Sequence, residues 1–276
     1  MWVIDNHQYL GEFESWSRAA QFGDGLFETL SVINGSCPAL THHGKRLSDG
    51  LRRLSIPLPE NDITAMLRRF IESMVNYSSN MNGVLKVIVS RGDSARGYGF
   101  EESIKPRVTV FFAEAIIQPE NIYDGVRVQH VETQCAIQPQ LAGLKHLNRL
   151  ENVMAKKEIS AGFFEGLMAN YLGHVIECTM SNIFFEKAGK LYTPELSLSG
   201  VAGVMRHLVI QYCKRNEISI SITNIKLLDV KSFDGAFICN SVMGVVPLKE
   251  IDRKEFQVSP LIREIVTMVR CGEIYD

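Results

Sequence analysis

The segment Val175-Ile-Glu-Cys-Thr-Met-Ser-Asn-Ile-Phe184 is the stretch of this chain that is most informative about its fold. β-Branched and apolar residues flank a short polar interruption, a pattern that predicts two strands joined by a tight connection. Alternation along the first strand places Glu177 on the face opposite Ile176 and Cys178. A carboxylate in that position is most often exposed to solvent.

Two further segments, one before and one after this stretch, carry reactive or anion-binding groups. Lys145 lies in Leu141-Ala-Gly-Leu-Lys-His-Leu-Asn-Arg-Leu150, directly before a predicted helix, where a lysine is usually a surface residue. Ser199-Gly-Val-Ala-Gly-Val-Met-Arg206 is a glycine-bearing turn into a helix, and the free N–H groups of a helix start can bind an anion. Glycine before a helix is common, so none of these signals alone decides a function.

The composition is that of an ordinary folded protein. Of 276 residues, 46% are hydrophobic and 22% are charged. The net charge is −2 and the basic residues are spread along the chain, which argues against a nucleic-acid partner. The sequence contains no apolar run of the roughly 18 to 20 residues that a membrane span needs, and its start lacks the pattern of a secretion signal. We therefore expect a cytosolic protein.

The six cysteines are widely spaced and form no C-x-x-C pair. Most have apolar neighbours, where thiols are usually inert. The sequence therefore predicts reduced thiols and no metal site. The cysteines are Cys37, Cys135, Cys178, Cys213, Cys239 and Cys271.

Secondary-structure patterns predict an α+β protein with two domains. We predict a smaller N-terminal α/β domain over residues 1–115, a linker over 116–124 around Gln118-Pro119-Glu120-Asn121, and a larger barrel-like domain over 125–276. The predicted N-terminal elements are strands at Trp2–Asp5, Leu26–Ile33, Val84–Val89 and Val108–Phe112, a hairpin turn at Asn34-Gly35, and helices at 43–54 and Asp62–Tyr77. The last two of these strands are predicted to be central.

The C-terminal pattern is one of short strands and three helices. The predicted strands are Val126–Val131, Gly166–Tyr171, Val175–Cys178, Ile183–Glu186 and Lys190–Tyr192. The predicted helices are Asn148–Ile159, Gly203–Lys214 and Leu261–Arg270.

Five segments together, in this order, resemble the fold type IV enzymes that use pyridoxal 5'-phosphate. That family contains branched-chain aminotransferases, D-amino-acid aminotransferases and aminodeoxychorismate lyases. The resemblance covers nearly the whole chain and implies the family's fold and cofactor. The segments are Gln21-Phe-Gly-Asp-Gly-Leu-Phe-Glu-Thr29, His43-Gly-Lys-Arg-Leu47, Leu144-Lys-His-Leu-Asn-Arg-Leu-Glu151, Val175–Phe184 and Gly203-Val-Met-Arg206.

The resemblance assigns roles to individual residues. It makes Lys145 the lysine that forms the Schiff base with the cofactor and transfers protons. It makes Glu177 the partner of the pyridine nitrogen, where a carboxylate favours the protonated, electron-withdrawing ring. The cofactor phosphate would be held by Arg46, by backbone N–H groups of Val204 and Met205, and by the hydroxyl of Ser241. Alone, Arg46 would be interpreted as a solvated charge on a helix.

The loop Ser90-Arg-Gly-Asp-Ser-Ala-Arg-Gly-Tyr98 resembles the family's substrate loop. By that resemblance Arg96 and Tyr98 bind a substrate carboxylate, for which the planar fork of arginine is well suited. A flexible surface loop would have a similar composition. Thr29 is a candidate for the wall of the substrate pocket, and Phe27 on the same strand face is its alternative.

The lysine segment and the substrate loop are most similar to the aminodeoxychorismate lyase branch. The resemblance implies conversion of 4-amino-4-deoxychorismate to 4-aminobenzoate and pyruvate, a step toward folate, in a homodimer. Lys145 would remove a proton and later return one. His146 is an alternative second base, although adjacent side chains usually point apart. The other possibilities are a D-amino-acid or branched-chain aminotransferase with the same cofactor residues, and a homologue that has lost activity.

Overall fold

The computed structural model describes residues 2–5, 8–12, 16–77, 82–115 and 120–275. Proximity of Cα atoms divides the chain into two compact units. The first unit consists of Met1–Gly35, Leu40–Ala113 and Lys145–Asn148. The second consists of Ser36–Ala39, Glu114–Leu144 and Arg149–Asp276.

These units differ from the predicted domains in three short segments. Residues 36–39 and 114–115 belong to the second unit, and residues 145–148, which include the predicted cofactor lysine, belong to the first. Residues 116–119 of the predicted linker lie outside the described part of the chain, and Glu120–Ile122 forms a 3-10 helix. The domain boundary stays a prediction.

The chain up to residue 115 contains seven described strands and three described helices. The strands are β1 (Trp2–Asp5), β2 (Gln8–Glu12), β3 (Trp16–Ser17), β4 (Gly25–Val32), β5 (Gly83–Ser90), β6 (Asp93–Ser94) and β7 (Arg107–Glu114). The helices are α1 (Arg18–Phe22), α2 (Leu40–Arg53) and α3 (Ile63–Tyr77).

The main sheet of the first unit has the strand order β4-β5-β7. Leu26, Glu28 and Leu30 alternate along β4 and are buried, whereas Phe27 and Thr29 on the other face are half-buried. Among the described strands β7 is the last of this sheet, and it is largely exposed, so it does not take the central position predicted for it. Its β-branched sequence suits an edge as well as a centre, and the pattern could not separate the two.

The predicted turn at Asn34-Gly35 forms, with φ of 49° at Asn34 and 74° at Gly35. Positive φ at both residues is typical of a tight hairpin turn. The chain then enters α2 instead of a second long strand, so the turn does not join a strand pair of the main sheet.

The rest of the chain contains ten described strands, which form one sheet. They are β8 (Val126–His130), β9 (Glu165–Ala169), β10 (His174–Cys178), β11 (Asn182–Lys187), β12 (Lys190–Pro194), β13 (Ile220–Thr223), β14 (Ile225–Lys226), β15 (Gly235–Asn240), β16 (Gly244–Ile251) and β17 (Lys254–Glu255). The order is β13-β12-β11-β15-β16-β8-β9-β10-β14, and β17 pairs with β16. The helices are α4 (Leu150–Glu158), α5 (Val204–Arg215) and α6 (Pro260–Arg270), and 3-10 helices span Leu227–Ser232 and Glu273–Tyr275.

Strands β11 and β15 are buried on both faces. Phe184 and Phe237 stack at a centroid distance of 4.8 Å within the core that α5 and α6 cover, while Phe185 and Ile238 belong to a second core on the other face. Burial on both sides removes the polar half of the alternation, which is why β15 was not predicted from the sequence. The mixture of helices and sheets confirms the α+β prediction.

No helix among the described residues is long and apolar enough to span a membrane. All six cysteines are free thiols, and all but Cys271 are buried.

Candidate active site

Lys145 is fixed beside β4 in the first unit. The Phe27 N–H donates to the Lys145 carbonyl at 3.0 Å, and the Leu147 N–H donates to the Gly25 carbonyl at 3.0 Å. His146 pairs with Leu26 as an antiparallel bridge. The backbone that carries the lysine therefore continues a β ladder, which fixes the direction of its side chain.

The amine of Lys145 lies over an aromatic ring. Its Nζ is 4.3 Å from the centroid of the Phe27 ring. Thr29 lies two residues further along the same face of β4, so the predicted alternatives Phe27 and Thr29 share the lysine's side of this strand. Phe27 is the residue that the structure brings into contact with the amine.

Arg46 on α2 forms an ion pair with a buried carboxylate. Its Nε and Nη2 donate to Glu28 on β4 at 2.8 and 2.5 Å, and Nδ1 of His43 lies 2.6 Å from the same carboxylate. Two of the three guanidinium nitrogens are thus fixed in a fork geometry. The bonds to Glu28 therefore fix the orientation of the Arg46 guanidinium. Its contact with the cofactor phosphate stays a prediction.

Burial raises the pKa of Glu28, but the charges of Arg46 and His43 and their hydrogen bonds outweigh burial and bring it to about 2. Because this pKa lies below the ordinary glutamate value of 4.5, ionised Glu28 stabilises the fold above about pH 4.5, and this contribution is lost as the pH falls toward 2.

We expect Glu28→Gln to lower the free energy of unfolding at pH 7 by about 3 kcal/mol, because it removes the buried carboxylate that pairs with the half-buried Arg46 and the buried His43. Urea unfolding between pH 7 and pH 3 measures this change, and the variant should lose less stability than wild type on acidification. Glu60→Gln is the matched control because it breaks an arginine pair in which both side chains are about half exposed, and it should cost less than about 1 kcal/mol. Equal effects of the two changes would contradict this account.

Glu177 is buried in the second unit, with 5% of its surface exposed. The interpretation of this residue as an exposed strand carboxylate is therefore wrong. Its Oε2 accepts a hydrogen bond of 2.8 Å from the Val201 N–H. The β9–β10 ladder has an irregularity between Val175 and Glu177, and residues on both faces of β10 are buried, so simple alternation did not predict this burial.

The peptide groups around Val201, in the segment before α5, bind the strand segments of Glu177 and Asn182 and the segment that precedes Lys145. Nδ2 of Asn182 donates to the Val201 carbonyl at 2.9 Å, while the Val201 N–H binds Glu177. The Gly143 N–H donates to the Gly200 carbonyl at 2.8 Å, and the Ala202 N–H donates to the Gly143 carbonyl at 3.0 Å. Gly143 precedes Lys145 by two residues in the chain.

Two glycines permit this close arrangement. Gly200 has a φ of +83°, and a Cβ there would lie 2.6 Å from Cγ2 of Ile176 and 3.2 Å from Oε2 of Glu177. A Cβ on Gly203 would lie 2.0 Å from Oδ1 of Asn182. Larger residues would displace the Glu177 or Asn182 side chain.

The predicted phosphate-binding helix, α5, begins directly after Gly203. Gly203 is the N-cap residue of this 12-residue helix and has no side chain with which to cap it, so the first N–H groups can bind an anion. Val204 and Met205 are the first two helical residues, as the phosphate prediction requires. Ser241 lies in the turn after β15, in which Asn240 Oδ1 accepts from the Val242 and Met243 N–H groups.

We expect Asn182→Ala to weaken cofactor binding by roughly tenfold, because it releases the Val201 peptide that Glu177 also binds. Asn216→Ala is the matched control, since Nδ2 of Asn216 donates to the Tyr212 carbonyl at 2.9 Å near the other end of α5. The dissociation constant of the cofactor, measured by absorbance titration, should change only in the first variant. A cofactor affinity that falls equally in both variants would contradict the specific role of Asn182.

Arg96 and Tyr98 lie on an exposed loop of the first unit. Tyr98 is 84% exposed, and its ring lies 5.2 Å from that of Phe22. Arg96 is also exposed and so is accessible to a charged ligand. Their predicted carboxylate contact stays a prediction.

Cys135 and Cys178 are buried thiols whose electrostatic surroundings include Glu177. Burial raises the pKa of Cys135 and of Cys178, and the carboxylate of Glu177 adds to both effects. Both residues therefore stay protonated near neutral pH, which agrees with the interpretation of the cysteines as inert core thiols.

The sequence did not assign roles to Glu28, His43 or Asn182. Each of these residues nevertheless stands inside one of the segments that carry the family resemblance. A polar residue within an apolar strand pattern was the available signal for Glu28 and Asn182, because a buried polar side chain needs a partner.

The amino-transferase class IV family model matches residues 25–251. This match covers Lys145, Glu177 and the start of α5. The chain therefore belongs to the class IV aminotransferase family, and it has that family's fold.

Within the family, the chain is similar to lyases and to transaminases. It is 36% identical over 257 residues to the aminodeoxychorismate lyase of Vibrio harveyi, with 90% of this chain and 92% of that protein covered. It is 26% identical over 236 residues to the D-alanine aminotransferase of Bacillus licheniformis, with 85% and 81% covered. The crystal structure of 4-amino-4-deoxychorismate lyase from Pseudomonas aeruginosa matches with a TM-score of 0.86 and 36% identity over 95% of both chains.

Proposed function

We propose that this chain is a pyridoxal-phosphate-dependent lyase that converts 4-amino-4-deoxychorismate to 4-aminobenzoate and pyruvate, a step toward folate. The observation that carries the cofactor assignment is the arrangement around Val201, which bonds the buried Glu177 to the segment that leads into α5. The choice of the lyase reaction is supported by the similarity to two aminodeoxychorismate lyases at 36% identity.

The residues present fit pyridoxal phosphate. Lys145 supplies an amine for the aldehyde, Glu177 a buried carboxylate for the pyridine nitrogen, and the start of α5 a set of N–H donors for the phosphate. Arg46 and the hydroxyl of Ser241 would complete the phosphate contacts. When bound, this cofactor supplies an electron sink for the bond that breaks.

The protein's own residues manage protons and orientation. The Glu177 carboxylate would keep the pyridine nitrogen protonated, and its Oε2 is oriented by the Val201 N–H. Nζ of Lys145, once uncharged, accepts the proton from the substrate carbon that bears nitrogen, and then returns a proton to the departing three-carbon fragment. A single amine thus acts as base and as acid.

Substrate orientation is assigned to the exposed loop and to β4. Arg96 binds a carboxylate of the dianionic substrate in a bidentate manner, and the hydroxyl of Tyr98 adds a second donor. Thr29 and Phe27 form the wall next to the amine of Lys145. Loss of the fragment makes the ring aromatic, so correct positioning is the main requirement on the protein.

Two assays test the function. Purified protein with bound cofactor is mixed with aminodeoxychorismate, and separately with D-alanine and 2-oxoglutarate. We expect pyruvate and 4-aminobenzoate from the first mixture. The alternative is an aminotransferase, which the 26% identity to a D-alanine aminotransferase supports. That alternative would replace the lyase if the second mixture turned over rapidly and the first released no 4-aminobenzoate.

We also propose a homodimer in the cytosol. Leu150, Val153 and Met154 occupy one side of α4 and are between 57% and 77% exposed. Three apolar side chains at this spacing form an exposed stripe of the kind that subunit contacts cover. Light scattering of the purified protein measures the mass that this proposal predicts.

A further inference from the structure

A buried arginine in the first unit binds the backbone of the predicted substrate loop. Arg18, at the start of α1, has only 3% of its surface exposed. Its Nη2 donates to the Tyr98 carbonyl at 2.9 Å, and its Nη1 donates to the Gly99 carbonyl at 3.0 Å and to Oγ of Ser94 at 2.8 Å. A longer contact of 3.5 Å reaches the Gly97 carbonyl.

The other side of Arg18 is fixed by Asp24. Nε of Arg18 donates to Oδ2 of Asp24 at 2.8 Å. A second buried arginine, Arg91, donates to the same carboxylate at 2.8 and 3.1 Å and to the Leu54 and Ser55 carbonyls beyond α2. Burial opposes ionisation of Asp24, but the two arginines outweigh it and lower its pKa.

The loop lacks the support of a strand or a helix. Residues 95–100 are exposed and form no regular secondary structure, and the backbone ladder β3–β6 ends at Ser94. Phe100 lies over the guanidinium of Arg91 at 4.1 Å, which anchors the far end of the loop. An exposed segment with two glycines would otherwise sample many conformations.

We infer that Arg18 is a positioning residue for substrate recognition, which holds the backbone of residues 97–99 so that Arg96 and Tyr98 are presented in one arrangement. Burying an arginine is costly unless its donors are satisfied, and here most of its partners belong to this one loop. If a binding loop is already ordered before the ligand arrives, ligand binding does not have to supply the free energy for the entropy lost in ordering it. The inference rests on the proposed function, because it takes a substrate carboxylate as the ligand of Arg96.

The test is Arg18→Lys in the enzyme with bound cofactor. Lysine keeps the positive charge near Asp24, but one ammonium cannot span the carboxylate and the loop carbonyls. We expect KM to rise roughly 10- to 100-fold with kcat changed less than about threefold, and the backbone amides of the loop to exchange hydrogen faster. Arg107→Lys is the matched control, because Arg107 is 61% exposed and binds Asp93 beside the same loop.

A double-mutant cycle separates positioning from a general structural effect. If Arg18 acts through Arg96, then Arg18→Lys should change KM little in a background that already carries Arg96→Ala. Equal, independent increases in KM would overturn the inference. If Arg18→Lys does not fold, Arg18→Gln is the second variant, because its single amide cannot reach all the loop carbonyls that the guanidinium binds, and an unchanged KM in that variant would also overturn the inference.

The outcomes for function and inference are distinguishable. A wild-type protein that releases no pyruvate from aminodeoxychorismate overturns the proposed function. Unchanged hydrogen exchange in the loop of Arg18→Lys overturns the inference whatever the reaction is.

Discussion

Lys145→Ala should lose lyase turnover by roughly 10⁴-fold or more, because we propose that this one amine both bonds to the cofactor and moves the reacting proton. The variant should also lack the visible absorption band of the lysine-bound cofactor. The substitution should leave the fold intact, since the backbone of this residue makes the ladder contact to Phe27 and its side chain is only half-buried. Pyruvate release and the absorption spectrum measure the two effects.

Lys157→Ala is the matched control for this variant. Lys157 is an exposed lysine on α4 and should keep both the activity and the visible band. Substantial pyruvate release by Lys145→Ala, with the band retained, would contradict the assignment of the reactive amine.

Glu177→Gln should lower kcat by roughly 10²-fold or more, because a neutral amide does not hold the ring nitrogen in its protonated form. The cofactor should also bind roughly 10- to 100-fold more weakly, since a hydrogen bond to a charged group is replaced by a neutral one. The side-chain shape is nearly unchanged, so the acceptor for the Val201 N–H is preserved. Stopped assays at saturating cofactor measure kcat, and cofactor titration measures the dissociation constant of the cofactor.

Glu186→Gln tests whether any buried strand carboxylate would have the same effect. Glu186 on β11 is 6% exposed and accepts a hydrogen bond from Ser259. Its replacement should reduce stability without changing the cofactor spectrum. A normal kcat in Glu177→Gln would remove the electrostatic role proposed for that residue.

Much of the strand and helix pattern was predictable from the sequence because it is local. α5 and α6 follow from apolar residues at helical spacing and from the residues at their ends. β15 was missed because burial on both faces hides the alternation, and β7 was placed centrally because edge position depends on which strands pair.

The candidate residues were predictable from family motifs, but their surroundings were not. The burial of Glu177 depends on packing against residues around Val201, and the role of Arg18 depends on hydrogen bonds to residues about 80 positions later. Such contacts join segments that are far apart in the sequence, and the apolar periodicity of one segment does not indicate its partner. A single sequence shows that these polar residues exist and leaves their partners open.

Reduction of the enzyme with borohydride, followed by proteolysis and mass spectrometry, tests the central claim most directly. Borohydride fixes the bond between the cofactor and its lysine. We predict that the added mass lies on the peptide that contains Lys145 and that Lys145→Ala abolishes it. A label on a different lysine, or an unlabelled protein that is still active, would contradict the account.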